Sequence, residues 1–245
     1  MFLRKTGDRI WRFCRILNVT RQNALSLMRQ EKKPEGLSLA FTHSVMKSWA
    51  DACLGTLNVE VKVIGRPCKE ATLFVGNHMS YLDIPLLMSS AQVVFIGKME
   101  PANWPFFGHG MRAVGTVFVD RGSVSSRKDA ADTIAPYIMK SKQSVAIFPS
   151  GTTKLIEDKE WRWGAFLIAK RNGIPIQPFR LNYKPARAAA FIDEDAFAPH
   201  LWRLLGTPNI QAEIEFHPPI QVDDPQVDAQ KWWLWAREKI NQIEV

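Results

Sequence analysis

Wound at about 100° per residue, residues 2–17 sort into two faces. Phe2, Leu3, Ile10, Phe13, Cys14 and Leu17 share one arc, and Arg4, Lys5, Arg9, Arg12 and Arg15 share the other. Trp11 lies at the border and Ile16 is the exception. This pattern predicts an amphipathic helix. Lys32-Lys33-Pro34-Glu35-Gly36 then breaks it, because Pro and Gly both oppose helix continuation. Residues 38–56 predict a second helix, with Leu39, Val45, Met46, Trp49 and Cys53 as apolar positions, so the two form a hairpin. From about residue 58 the pattern changes. Short β-rich runs at 59–64, 72–76, 93–97, 116–119, 145–148, 176–183 and 212–217 alternate with helical stretches at 84–90, 125–140, 161–172 and 228–243. Helix-length gaps between strands require crossover connections. The expected fold class is therefore α/β: a largely parallel, helix-covered sheet preceded by an N-terminal amphipathic helical hairpin. The boundary falls between residues 1–57 and 58–245.

Composition narrows the setting. The chain has 245 residues, of which 46% are hydrophobic and 23% charged, values of a folded globular chain. Cys14, Cys53 and Cys68 include no close pair, which argues against a disulfide framework and points to a reducing compartment. No apolar run approaches the roughly 18 residues of a spanning helix, and charges interrupt the N-terminal region where a secretory signal would lie. The net charge is +8, and residues 1–33 hold nine Lys or Arg against Asp8 and Glu31. The remainder is close to neutral. A basic amphipathic helix with an edge tryptophan fits an in-plane helix on anionic lipid. Its alternative is a helix that packs its apolar face on the core and solvates its basic back. Nucleic acid is disfavoured, because no binding motif occurs and the charge is confined to one end. Near the other end, Trp232, Trp233 and Trp235 among Lys231, Arg237 and Lys239 fit either a lipid headgroup boundary or packing on the sheet.

Chemistry concentrates after the second β-run. Residues 73–85 read Leu-Phe-Val-Gly-Asn-His-Met-Ser-Tyr-Leu-Asp-Ile-Pro. The run ends at Gly76-Asn77, and a helix is expected to start near Asp83, an N-cap residue type followed by Pro85 in the first turn. His78 then lies on the turn leaving a strand, where ligands gather in open α/β sheets. Residues five apart stand about 140° apart around a regular helix. His78 and Asp83 can therefore meet only if His78 stays on the turn. If they meet, Asp83 accepts the Nδ1 proton and His78 Nε2 becomes a general base. Helix cap and core histidine is the alternative for this pair.

Three further blocks follow β-runs: Phe118-Val-Asp-Arg121-Gly122-Ser123, Phe148-Pro-Ser150-Gly151-Thr152-Thr153, and Pro175-Ile-Gln-Pro178. With Asn77-His78-x-Ser80-x-x-Asp83 and Lys98-Met-Glu100, their order resembles the four blocks of the glycerolipid acyltransferase family over residues 60–185. That family has a His-x4-Asp signature and includes the 1-acylglycerol-3-phosphate O-acyltransferases. The resemblance implies acyl transfer from acyl-CoA or acyl-carrier protein to the hydroxyl of a lysolipid acceptor, on the cytoplasmic face of a membrane and without a spanning helix. It implies that His78 is the base and Asp83 its partner. Asn77, Ser80, Lys98, Arg121, Gly122, Ser150, Gly151, Thr152 and Thr153 are then expected at the substrates, with backbone N–H groups near Gly151 facing the developing oxyanion. No metal or redox cofactor is required. Residues 1–57 become the membrane-associating segment and 58–245 the acyltransferase domain.

The third block departs from the family's Phe-Pro-Glu-Gly-Thr-Arg: Ser150 replaces the glutamate and Thr153 the arginine. An arginine fork grips a phosphate bidentately and a threonine does not. Either Arg121, Lys98 or Lys154 supplies the charge to a phosphate head, the reading favoured here as commonest in the family, or the acceptor is another lysophospholipid or a lyso-aminolipid. A covalent role for Ser80 lacks support, since no GxSxG elbow occurs. The competing class is a non-catalytic membrane adaptor on the same fold.

Overall fold

The structure, a computed structural model, describes residues 2–98, 117–119, 124–192 and 195–240. Two long helices come first, α1 (Phe2–Glu31) and α2 (Leu39–Thr56). Ser38 caps α2 by accepting from Phe41 N at 3.2 Å. The strands are β1 (Val59–Ile64), β2 (Leu73–Gly76), β3 (Val93–Lys98), β4 (Val117–Val119), β5 (Ser144–Ile147), β6 (Ile176–Lys184) and β7 (Ile210–Phe216). Between and after them lie α3 (Asp83–Ser90), α4 (Val124–Ser141), α5 (Gly164–Asn172), α6 (Ala186–Ala189), α7 (Phe197–Leu205) and α8 (Pro225–Ile240).

The strands form one sheet in the order β1-β7-β6-β2-β5-β3-β4. All pairings are parallel except β6 with β7. The exception follows from α6 and α7, which hold the chain near the end of β6 so that β7 returns from there. Neither helix was evident from the sequence. The centre of the sheet carries the core: Leu73, Phe74 and Val75 of β2 and Ile176 and Phe179 of β6 are fully buried. Such a strand is apolar on both faces because helices cover both. Gly76 is required where β2 meets β6, since a Cβ there would stand 2.5 Å from the Phe179 carbonyl oxygen.

The two open alternatives resolve differently. Trp232 and Trp233 are buried and Arg180 lies over the Trp235 ring, 4.4 Å from its centroid, so α8 packs on the sheet. In α1, Arg9, Arg12 and Arg15 of the basic side engage the protein instead. Arg12 Nη1 donates to the carbonyls of Leu205 and Thr207 at 3.1 Å each, completing the C-terminus of α7. Arg15 Nε donates to Thr56 Oγ1 at 3.1 Å, and Arg9 stacks over Trp202. Ile10, Trp11, Phe13 and Leu17 are left exposed. Further along, Ala24 and Leu27 are buried, and Trp49 of α2 donates to Thr20 at 3.0 Å. Among the described residues no helix is long and apolar enough to cross a membrane.

Candidate active site

The site grows from the end of β2. Asn77 is fully buried, and its amide bonds the Leu181 backbone twice: Nδ2 donates to the carbonyl at 3.0 Å and Oδ1 accepts from Leu181 N at 2.7 Å. The side chain thus prolongs the β2–β6 ladder after the backbone has turned away. Ser80 is also buried. Its hydroxyl accepts from Leu82 N at 3.3 Å and its carbonyl accepts from Asp83 N at 3.1 Å, which tightens the turn into α3. Both side chains were expected at the substrates. They are enclosed instead, and their work is to shape the loop that carries His78.

Asp83 corrects a further expectation. The N-cap of α3 is Leu82, and Asp83 is the first helical residue. Its carboxylate turns back over the loop because two backbone N–H groups point at it. Oδ2 accepts from Met79 N at 2.7 Å and Ser80 N at 3.0 Å, and it meets His78 Nδ1 at 2.6 Å. Oδ1 accepts from the Tyr183 hydroxyl at 2.7 Å. A fully buried carboxylate is costly unless such donors surround it. With Oδ2 as the acceptor at Nδ1, a neutral His78 carries its ring proton on Nδ1 and leaves the Nε2 lone pair free. Burial, reinforced by the neighbouring charge of Asp83, pushes the Tyr183 phenol well above its ordinary value, so it stays a donor.

The imidazole is held on its face as well as at Nδ1. Phe148 stacks on it with centroids 4.0 Å apart and planes 11° from parallel. The His78 side chain keeps 21% of its surface open, so the ring is supported and still reachable. Tyr183 and Phe148 were not named as site residues from the sequence. Tyr183 had a readable signal: it follows Phe179 and Leu181 at a period of two on the buried register of β6, and a buried phenol needs a partner.

The third block forms a turn beside this ring. Gly151 N donates to Phe148 O at 3.0 Å, and Gly151 takes φ +76°, a conformation suited to glycine. That N–H is therefore not available to an oxyanion. Ser150 Oγ donates to Thr152 O at 3.0 Å, while Gly151 and Thr152 are exposed and Thr153 is half-buried. Lys154 N donates to His78 O at 2.8 Å, fastening this loop to the histidine turn. The Lys154 ammonium is paired with Asp158. Lys98 ends β3, with its side chain outside the description, and Arg121 and Gly122 lie outside the described residues. Among the described residues no group of three or more His, Cys, Asp or Glu is placed to hold a metal ion.

A buried carboxylate orienting an accessible imidazole at the end of a central parallel strand defines a general-base site on an α/β fold. Comparison with known proteins identifies its family. The family model described as Acyltransferase matches residues 58–182, and the chain belongs to that family. It is an acyltransferase, as the order of its four blocks implied.

Its relatives include the lyso-ornithine lipid O-acyltransferase of Pseudomonas aeruginosa, 33% identical over 177 residues that cover 70% of this chain and 68% of that protein. The lyso-ornithine lipid O-acyltransferase of Rhodobacter capsulatus is 30% identical, covering 70% of this chain and 66% of that one. The 1-acyl-sn-glycerol-3-phosphate acyltransferase of Helicobacter pylori strain J99 is 31% identical, covering 57% and 63%. The crystal structure of the 1-acyl-sn-glycerophosphate acyltransferase PlsC of Thermotoga maritima superposes with a TM-score of 0.76 over 98% of this chain and 96% of that one. At 16% identity that likeness concerns the fold.

Proposed function

We propose that this protein moves a fatty acyl group from a thioester, carried on CoA or acyl-carrier protein, to the free hydroxyl of a lysolipid with an amino-acid head. The single observation that carries the chemistry is the 2.6 Å contact between His78 Nδ1 and a fully buried Asp83, with the ring otherwise accessible. His78 Nε2 takes the proton of the acceptor hydroxyl as its oxygen attacks the thioester carbon. Asp83 stabilises the imidazolium, the new C–O bond forms, the C–S bond breaks, and the proton passes to the departing thiolate. General-base help of this kind contributes roughly 10²–10⁴-fold. Because the Gly151 N–H is engaged, the neighbouring N–H groups of Thr152 and Thr153 are our choice for the growing oxyanion. Protein residues suffice for every step, with the acyl donor as co-substrate.

The sequence alone favoured 1-acylglycerol-3-phosphate as acceptor. We favour an amino-acid head for two reasons: the third block lacks its phosphate-matching arginine, and the relatives from Pseudomonas and Rhodobacter are named for lyso-ornithine lipid. We place the reaction on the cytoplasmic face of a membrane, with residues 1–57 as the associating segment. The exposed Ile10, Trp11, Phe13 and Leu17 support this, as do Phe197 and Trp202 on the neighbouring α7. Phe197 also packs against Tyr81 of the histidine turn, with centroids 5.4 Å apart.

A labelled acyl donor, presented on CoA and on carrier protein to a panel of lysolipids, tests the proposal. Transfer to lyso-ornithine lipid is expected, and its loss in folded His78→Ala. A His78→Ala variant with the wild-type rate would falsify the role of the base.

A further inference from the structure

Residues 149–162 form a loop closed at its neck, where Arg162 N donates to Pro149 O at 3.4 Å. The loop starts with the third-block turn and is tied to the histidine turn by Lys154 N. Among its charged side chains, which the mechanism above does not use, Glu157 and Arg162 stand apart.

Glu157 is 1% exposed. Its Oε2 accepts from Trp161 Nε1 at 3.0 Å, and its Oε1 has no hydrogen-bond partner. A buried carboxyl oxygen left bare is costly, and such groups in a native fold call for a missing partner. Burial pushes this carboxyl up to about 7, with the Trp161 bond and the charges of Lys154 and His78 acting the other way.

Arg162 lies at the loop's other end. Its Nη1 stands 3.1 Å from the position a Cβ would take on Gly151, so the guanidinium covers the third-block glycine. It is exposed and forms no ion pair among the described residues. The ammonium of Lys154 is committed to Asp158, and Thr153 carries no charge. Arg162 is thus the cation that this loop brings against the turn.

We infer that Glu157 and Arg162 form the acceptor head-group subsite, Glu157 taking a primary ammonium on its bare oxygen and Arg162 taking a carboxylate. The inference rests on the acyl-transfer reading and deepens it by naming what selects the acceptor. An ammonium supplies the donors that Oε1 lacks and stabilises the ionised carboxylate. A guanidinium fork matches a carboxylate bidentately. A zwitterionic amino-acid head engages both side chains. A phosphate head engages Arg162 alone and meets the charge of Glu157.

The test is steady-state kinetics on the full chain with lyso-ornithine lipid and with 1-acylglycerol-3-phosphate, comparing wild type, Glu157→Gln, Glu157→Asp and Arg162→Met. Folding is checked by circular dichroism. Glu157→Gln is expected to lower the ratio of kcat/KM for lyso-ornithine lipid over the phosphate acceptor by roughly tenfold or more, chiefly through KM, as for a lost charged hydrogen bond. Glu157→Asp should recover part of that ratio. Arg162→Met should raise KM for both acceptors. An unchanged ratio in folded Glu157→Gln, or an unchanged KM in Arg162→Met, overturns the inference. Should Glu157→Gln not fold, Arg162→Met at an exposed position still decides. A wild type that acylates the phosphate acceptor and refuses lyso-ornithine lipid sinks the subsite and leaves acyl transfer standing. A wild type silent on every acceptor sinks both.

Discussion

His78 lies flat on Phe148, 4.0 Å between centroids, and Phe148 is itself fixed by Phe95 at 6.2 Å and by Phe179 at 6.0 Å. The imidazole therefore has a rigid wall that joins the first block of the chain to the third. Phe148→Leu keeps an apolar side chain but removes that flat wall. Since misplacement by about 1 Å can cost up to about 10²-fold, kcat is expected to fall by roughly tenfold, with a smaller change in substrate KM. Single-turnover rates on the purified variant, beside its thermal melt, check this. An unaltered rate would show that Asp83 alone orients the ring.

Tyr183→Phe deletes the donor to Asp83 Oδ1 and leaves a buried carboxylate oxygen unpaired. The expected cost is about 1–3 kcal/mol of stability. A drop in kcat should accompany it, smaller than that of His78→Ala, because Met79 N, Ser80 N and His78 still hold Oδ2. Urea denaturation and initial rates measure the two effects on one preparation. Equal stability of variant and wild type would remove Tyr183 from the support of Asp83.

On α1, the combined change Ile10→Ser, Phe13→Ser and Leu17→Ser is expected to leave folding intact, because all three side chains are exposed. Binding to vesicles should weaken by at least about tenfold, given roughly 1.5–3 kcal/mol for full burial of one such side chain. Arg9, Arg12 and Arg15 are engaged with α7 and Thr56, so raising salt should matter less than this substitution. Vesicle sedimentation at two ionic strengths decides. Undiminished binding of the triple variant would place the membrane contact elsewhere.

Glu157 links stability to pH with a definite sign. Its carboxyl rises from an ordinary 4.5 to about 7 in the fold. Between those values the folded chain binds a proton that the unfolded chain has released. Its contribution is therefore fully present below about 4.5, declines as pH rises through about 7, and is flat above. The decline is on the order of 3 kcal/mol. Glu157→Gln should lack it, so the gap in urea midpoint between pH 5 and pH 8 should be smaller in the variant. Identical gaps would show that Glu157 titrates normally.

How much of the site could be read in advance varies by residue. His78 and Asp83 were legible because turn, strand end and helix start are local signals, and the chain between them is short. Asn77 and Ser80 were legible as members of the block and misjudged in role, since whether a polar side chain faces a substrate or a neighbouring strand depends on where β6 runs. Tyr183 lies 100 residues beyond Asp83 and reaches it only through the pairing of β2 with β6. Arg162 stands over Gly151 only because the loop closes on Pro149.

The sequence by itself determined the two periodicities, and through them the helical hairpin and the mostly parallel sheet, because apolar spacing sets which face each element must bury. It also determined the family, since four short blocks occur in a set order. Tertiary structure alone decided that β7 runs against β6, that Trp232 and Trp233 of α8 are enclosed, and that Arg9, Arg12 and Arg15 of α1 engage the protein while Ile10, Trp11, Phe13 and Leu17 stay open. Those outcomes depend on which surfaces meet across long separations. A hydrophobic pattern says that a face wants cover, and only the assembled fold says what covers it.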